Sequence, residues 1–534
     1  MIELTVLLGL AAVGVGLSRW TQFPAIPFLL VGSLGLSATG LVGDPQFVED
    51  VLFLSVSVLL FVAGTDLSLQ RVGPFASAAL RIGLVQFVGL AAAGVGLALG
   101  LSYGLTDALY LGLALSASST IVGVRLLERR QQLFEPFGRT VVGVLLLQDV
   151  LVVLLLPLLL RFPDGAAGIL RSLGGTILLL GGVAVVMKGV VPFLLERTLD
   201  AETQLLAVLG VLFGFMGVAE WVEVPRFAAA FLAGVALSGF PFSGLVHSEM
   251  QPLYDFFSAI FFASLGIAAT VPSWSLVGHA VLFGGIVLLL TPLLVAIVGE
   301  WTGLVARPAV ESGLLLAQTS EFSLVVGLQA LVAGQIGGDV FGVIVLTTVL
   351  TMMATPLLTR DTVVWELVRW HPSRHLDPLT DVPSGHVLLL GGGRSTQPIL
   401  RLLRESEYEA VVLDEDPAVL DRLREQGVTC VRGDGGDLSV LLEAGAAQAR
   451  VIVSTLRNPA VLRDLLNYVG DTVPILVRVF EDHEAEWVEA RGGTAVRFAH
   501  AAGDAFMDWF AEHVGAHPHE PSAPSDETRA SGAS

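Results

Sequence analysis

The sequence predicts a polytopic α-helical membrane protein followed by a C-terminal α/β domain. Three observations predict it. The 534-residue chain is 54% hydrophobic and 15% charged, with a mean hydropathy of +0.76, whereas soluble domains carry about 25% charged residues. Its apolar residues fall in blocks of roughly 20, the length that crosses a bilayer as a helix, with runs such as 141–147, 177–186 and 281–290 inside them. From Gly385 the pattern changes to short apolar runs alternating with amphipathic stretches, which implies a parallel sheet covered by helices.

About thirteen apolar spans are expected, at roughly 2–18, 24–41, 50–66, 76–101, 106–124, 138–160, 172–194, 203–219, 225–240, 254–270, 277–298, 309–332 and 338–358. The first begins directly after Met1-Ile2-Glu3 with no basic segment before it, and reads as a retained helix rather than a signal peptide. Arg19, Arg71, Arg81, Arg125, Arg129, Arg130, Arg139, Arg197, Arg307, Arg360, Arg369 and Arg374 fall on one side of this topology. Arg161, Arg171 and Arg226 fall on the other. The positive-inside rule then places the N-terminus outside and the C-terminal domain in the cytoplasm, in a plasma membrane. The formal net charge of −20 argues against nucleic-acid binding. A single cysteine, Cys430, leaves no internal disulfide framework.

The membrane region, 1–358, repeats itself at a spacing of about 200 residues. Ile26-Pro27-Phe28 through Gly40 resembles Val224-Pro225-Arg226 through Gly239. Phe61-Val62-Ala63-Gly64 resembles Phe262-Ala263-Ser264-Leu265-Gly266, and Gly112 through Ser116 resembles Gly313 through Ala317. The offset is seven spans, an odd number, so the second copy runs upside down. Inverted repeats point to a transporter with its site at the midplane between them.

Residues 359–384 read as a linker, first Arg-containing and then Pro- and Asp-containing. Beyond it, 385–513 form the α/β domain, with strands expected at 386–390, 410–414, 429–432, 451–455 and 475–479 and helices at 397–406 and 417–425. The tail, 514–534, has the composition of a disordered segment.

The sharpest candidate for chemistry is Gln148-Asp149, deep in the sixth span. An ionisable residue there is costly and marks a pathway or a buried partner. A carboxylate holds a desolvated Na⁺ or K⁺ or a proton, not both, and that competition couples two fluxes. The alternative is a structural Asp hydrogen-bonded between helices. Two polar breaks lie at repeat-related positions: Ser116-Ala117-Ser118-Ser119-Thr120 in the fifth span and Gln318-Thr319-Ser320-Glu321 in the twelfth. Irregular backbone at membrane depth is tolerated where it lines a cavity; the competing reading is ordinary Ser/Thr packing between helices. Asp66, at the end of the third span, reads as a helix-end or gating residue.

In the soluble domain Gly391-Gly392-Gly393-Arg394-Ser395-Thr396 follows a strand and precedes a helix, the setting of a dinucleotide-binding turn. Gly391 and Gly393 let backbone approach a pyrophosphate at a helix N-terminus. Thr396 stands where a third glycine is usual, and Asp414 ends the next strand, where an acid accepts ribose hydroxyls.

Leu147-Gln148-Asp149, Ser118-Ser119-Thr120, Gln318-Thr319-Ser320-Glu321-Phe322 and Phe261-Phe262-Ala263-Ser264-Leu265-Gly266, with the glycine turn, Leu413-Asp414-Glu415-Asp416, Gly433-Asp434 and Ala444-Gly445, resemble the monovalent cation:proton antiporter-2 family in its Kef-type form. The resemblance runs to about residue 510. It implies a monovalent cation/proton antiporter with crossed, broken fifth and twelfth helices, followed by an RCK (TrkA-N) Rossmann-like regulatory domain. It implies that Asp149 binds the cation or the proton, with Gln148, Ser118, Ser119, Thr120, Gln318, Thr319 and Glu321 around it. The preceding Gln is similar to that of electroneutral exchangers. K⁺ is favoured over Na⁺. In the soluble domain Gly391, Gly393, Arg394, Ser395, Thr396, Asp414, Glu415, Asp434 and Thr455 would hold NAD(H), AMP or ATP as a regulatory ligand, and both domains would pair in a homodimer surrounded by membrane lipid. Many relatives carry a basic residue in the eleventh span; here Thr291 is near that place. Kef-type relatives gated by glutathione carry regulatory residues that have no match here. A ligand-gated K⁺ efflux channel shares the soluble domain but does not need the inverted repeat or the buried acid, and no carbonyl-lined filter motif is visible. A membrane-tethered dehydrogenase would need an acid/base pair beside a nicotinamide, and none is apparent.

Overall fold

Apolar side chains all round a segment leave helix as the way to satisfy its backbone in lipid, and the sequence up to Leu358 folds accordingly. A computed structural model describes residues 2–21, 23–37, 45–65, 76–130, 132–133, 135–190, 201–239, 242–268, 273–304, 306–369, 384–406, 408–414, 417–456, 459–470 and 472–514. The chain divides into two compact units, Met1–His371 and Pro372–Ser534.

In the first unit the spans are Ile2–Thr21, Ala25–Ser37, Pro45–Thr65, Ala76–Gly100, a fifth in two pieces (Leu105–Ser116 and Thr120–Arg129), Pro136–Leu160, Gly165–Val185, Ala201–Trp221, Arg226–Ala236, Phe242–Ala268, Trp274–Trp301, a twelfth in two pieces (Ala306–Leu316 and Glu321–Val332) and Gly338–Leu358. Among the described residues, eight helical segments are long and apolar enough to cross a membrane, and four shorter helices are apolar as well. Asp66 lies outside the described residues.

The internal repeat is visible in the packing. The first span packs on the second as the eighth packs on the ninth, and the third packs on the ninth as the tenth packs on the second. Small residues make these approaches possible. A Cβ on Gly64 would lie 2.9 Å from the Val235 amide nitrogen and 3.0 Å from Gly234 Cα, and one on Gly266 would lie 2.8 Å from the Leu30 carbonyl. Gly112 meets the Ala91 carbonyl in the fourth span, and Gly313 meets Pro292 in the eleventh, each at 2.7 Å from a built Cβ. The same glycine does the same work in each copy.

One stretch read as linker is helical. Asp361–Arg369 forms an amphipathic helix whose buried Val364 and Val368 pack on Ala309, Val310 and Leu314 of the twelfth span. Nine residues with apolar positions four apart are enough to cover a neighbouring helix.

The second unit is a six-stranded parallel sheet in the order β3-β2-β1-β4-β5-β6. Its strands are β1 Val387–Leu390, β2 Ala410–Asp414, β3 Thr429–Arg432, β4 Val451–Ser454, β5 Ile475–Val479 and β6 Thr494–Arg497. The chain reverses direction of travel between β1 and β4, so a crevice forms at the carboxyl ends of those strands. β6 is not expected from sequence: it is a four-residue edge strand that is only half-buried, with no apolar run to mark it.

Candidate ion site and nucleotide turn

Both breaks in the membrane unit are short extended stretches, 117–119 and 317–320, flanked by half-helices. Their serines explain why the helices restart. Ser119 caps Thr120–Arg129 by accepting from the Val122 amide (3.3 Å), and Ser320 caps Glu321–Val332 by accepting from the Phe322 amide (3.1 Å). The breaks cross and hold one another: the Ser118 hydroxyl donates to the Leu316 carbonyl (2.7 Å), Ser119 to Glu321 Oε2 (2.8 Å), and Ser323 to the Ala114 carbonyl.

Asp149 sits halfway along the unbroken sixth span and is 3% exposed. The Thr120 hydroxyl donates to its Oδ2 (2.9 Å). Thr120 is the first residue of its half-helix, so the carboxylate faces the positive end of a helix dipole. Next to it, Gln148 joins a closed ring. The Ser118 amide donates to Gln148 Oε1 (2.8 Å), Gln148 Nε2 to Gln86 Oε1 (2.9 Å), and Gln86 Nε2 to the Ser118 hydroxyl (2.9 Å). All three residues are fully buried, and the network satisfies the amides that burial would otherwise leave unmade.

The expected set therefore divides. Ser118, Ser119, Thr120, Gln148, Asp149 and Glu321 meet at the crossing. Thr319 turns away to the thirteenth span, where its amide bonds the Thr351 hydroxyl (3.2 Å) and its hydroxyl bonds Thr348 (3.0 Å). Gln318 Nε2 donates to the Leu315 carbonyl (3.2 Å), while its buried Oε1 makes no hydrogen bond among the described residues. That orphaned oxygen has the chemistry of a cation or water ligand. Thr291, in the eleventh span, is fully buried, and its hydroxyl likewise makes no hydrogen bond among the described residues.

Two features escape sequence reading. Gln86 is one; its signal is a lone amide in an otherwise apolar fourth span. The other is a clamp at the far ends of the half-helices. Arg130 Nη1 pairs with Glu311 Oε1 (2.6 Å), Arg307 Nε lies 3.9 Å from Glu311 Oε2, and Arg130 also donates to the Thr359 carbonyl that ends the thirteenth span. Glu311 is buried, so this acid requires its arginines.

In the second unit, Gly391 takes φ +92°, a conformation that favours glycine, and a Cβ there would lie 2.7 Å from the Thr455 hydroxyl. Gly393 faces open space, where a phosphate has room. Thr396 replaces the third glycine by a bond: its buried hydroxyl donates to the Gly391 carbonyl and closes the turn. Asp414 Oδ2 accepts from the Gly392 amide (2.6 Å), so half of this acid braces the turn itself. Thr455, after β4, lies 3.3 Å from Thr396 and completes the crevice. Asp434 caps a local turn through the Gly436 amide (2.8 Å). Glu415 and the side chain of Arg394 lie outside the described residues. Arg478, unremarked in the sequence, donates from β5 to the Ser395 hydroxyl (2.6 Å) and the Thr455 carbonyl (2.5 Å) and so adds a cation beside the turn. Burial pushes the Cys430 thiol up to about 11, so it is an inert core thiol at neutral pH.

A family described as "Sodium/hydrogen exchanger, transmembrane" matches residues 4–365, and one described as "TrkA-N domain" matches 387–496. The glutathione-regulated potassium-efflux system protein KefC of Cronobacter sakazakii is 28% identical over 494 residues, 89% of this chain and 78% of that one. KefC of Escherichia coli K12 is 27% identical over 497 residues, with the same coverage. The sodium proton antiporter MjNhaP1 of Methanocaldococcus jannaschii is similar over 68% of this chain and 99% of its own, at 13% identity and a TM-score of 0.49. The chain belongs to the sodium/hydrogen exchanger family, as a multi-pass cation/proton antiporter with a TrkA-N domain behind its membrane unit.

Proposed function

We propose that this antiporter exchanges K⁺, ahead of Na⁺, for H⁺ at Asp149, electroneutrally, with its N-terminus outside, its TrkA-N domain in the cytoplasm, and a nucleotide at the glycine turn setting its rate. The observation that carries the reading is the placement of Asp149 against Thr120 at the start of a half-helix, with an amide, Gln148, rather than a second acid beside it. One carboxylate that alternates between one cation and one proton moves no net charge. Glu321 and Glu311 are each tied to partners, Ser119 and Arg130. The preference for K⁺ follows the potassium-efflux names of the relatives. NAD(H), AMP or ATP suits the turn because amides, Thr396 and Arg478 converge on one crevice.

The test is exchange in proteoliposomes with an imposed pH gradient, read by a pH dye on adding K⁺ or Na⁺, with and without a voltage clamp. Proton release driven by K⁺, indifferent to the clamp and abolished in Asp149→Asn, supports the proposal. Normal exchange in Asp149→Asn overturns it. Cation flux that needs no proton gradient supports a channel instead. Calorimetric titration of the full chain with each nucleotide tests the regulatory ligand.

A further inference from the structure

One backbone amide fixes the direction of every hydrogen bond in the buried ring beside Asp149. The Ser118 N–H can only donate, so the Gln148 atom 2.8 Å from it is the oxygen, Oε1. Gln148 then turns its Nε2 to the fourth span, where the Gln86 atom at 2.9 Å must accept and is Oε1. Gln86 Nε2 is left facing the Ser118 hydroxyl at 2.9 Å and donates to it. The hydroxyl hydrogen, displaced from that side, points to the Leu316 carbonyl at 2.7 Å, which can only accept. The chain of bonds starts on a fixed donor and ends on a fixed acceptor, so it has one polarity.

Gln86 is the link in this chain that packing does not ask for. Among the described residues it is the one polar side chain on the buried face of the fourth span; the others there are Ala, Gly, Ile, Phe and Leu. A leucine would fill similar space without the cost of burying an amide. Without Gln86, Gln148 Nε2 loses its acceptor, and the Ser118 hydroxyl is free to turn away from Leu316 in the other break. The ring also ties the charge of residue 148 to that bond. An ionised carboxylate at 148 could not donate to Gln86 Oε1; Gln86 would have to reverse, and Ser118 would then turn its hydrogen from the Leu316 carbonyl to Gln86.

We infer that Gln86 is a positioning residue for exchange. Through Gln148 and Ser118 it holds the two breaks in register around Asp149, and it makes an uncharged side chain at 148 part of the same lock, so that one carboxylate carries the cycle. The inference rests on the reading of Asp149 as the exchange site.

The test is exchange by the full-length protein in proteoliposomes, with an imposed pH gradient, a clamped potential and K⁺ as the added cation. In Gln86→Leu the apparent KM for K⁺ should rise about tenfold, the size expected of one or two lost hydrogen bonds, while the maximal rate per folded protein changes less. A packing role would instead lower the folded fraction, and with it the maximal rate, and leave KM alone. Gln148→Leu breaks the same ring, so Q86L/Q148L should raise KM little beyond the larger single change, whereas independent roles would multiply. Where Gln86→Leu does not fold, Gln86→Asn, which keeps the amide but is one methylene short, takes its place in both measurements. An unchanged KM in the Gln86 variant, or a KM in the double variant equal to the product of the single changes, would overturn the inference. Asp149→Asn is the control: normal exchange there defeats the reading of the site, whereas exchange abolished there but unaltered in the Gln86 variants defeats the role of Gln86 alone.

Discussion

In the fifth span, the break hands the Ser118 amide to Gln148 and the Thr120 hydroxyl to Asp149. In the twelfth, the equivalent amide, that of Thr319, goes to the Thr351 hydroxyl, and the Thr319 side chain goes to Thr348. Both breaks are capped by serine and both lean on the next unbroken span. The sixth span offers an amide and a carboxylate; the thirteenth offers threonines at 347, 348, 351 and 355. A threonine hydroxyl satisfies the Thr319 amide as the Gln148 side chain satisfies that of Ser118, but unlike a carboxylate it cannot change its charge. The comparison teaches that the scaffold is kept in both halves, and the acid in the unbroken span beside the break in one.

The comparison is sharpened first at its largest difference. Asp149→Asn should reduce cation-driven proton release to the level of empty vesicles, whereas Thr348→Val should leave it measurable; equal losses would mean that both copies carry ions. Next comes the clamp that joins the two broken spans. Glu311→Ala leaves Arg130 and Arg307 facing each other across a buried site and should cost about 3 kcal/mol, read as a lowered unfolding midpoint in detergent. The glycine turn is a third break before a helix, and there the amide, that of Gly392, is held by an acid, Asp414. Gly391→Ala should cost about 1–2 kcal/mol through its φ and the Thr455 contact and should weaken nucleotide binding on titration. The smallest effect is expected of Thr351→Val, about 1 kcal/mol for two hydrogen bonds partly replaced. Its apparent cation affinity should be unchanged, while Thr120→Val should shift that affinity severalfold. A shift in Thr351→Val of the same size would dissolve the distinction.

Much of this was legible in the sequence because it is written locally. Span lengths, serines before half-helices, a lone acid among leucines, and a glycine turn between strand and helix each occupy a few neighbouring residues. What escaped depends on partners far away. Nothing near Gln86 signals a bond to Gln148, 62 positions on. Glu311 looks like a surface acid until Arg130, 181 residues distant, is placed against it. Thr319 was expected beside the ion because it stands between Gln318 and Glu321. Its hydroxyl instead follows the thirteenth span, a choice set by packing rather than by position in the motif.

The broken spans also bear on how the protein is made. Among the described residues they are the least apolar of the eight long spans, and extended backbone has no partner in lipid, so neither can rest in the bilayer alone. Ser118 needs Gln86, already synthesised, and Gln148, 30 residues later, but its hydroxyl finishes on the Leu316 carbonyl, 198 residues downstream. At ribosomal speed that is a wait of roughly 10–40 s. The nascent first half therefore passes through a period in which its central turn is unfinished. During that interval membrane proteases and insertases would find it most exposed, and a mutation in the second half would damage the first before transport begins.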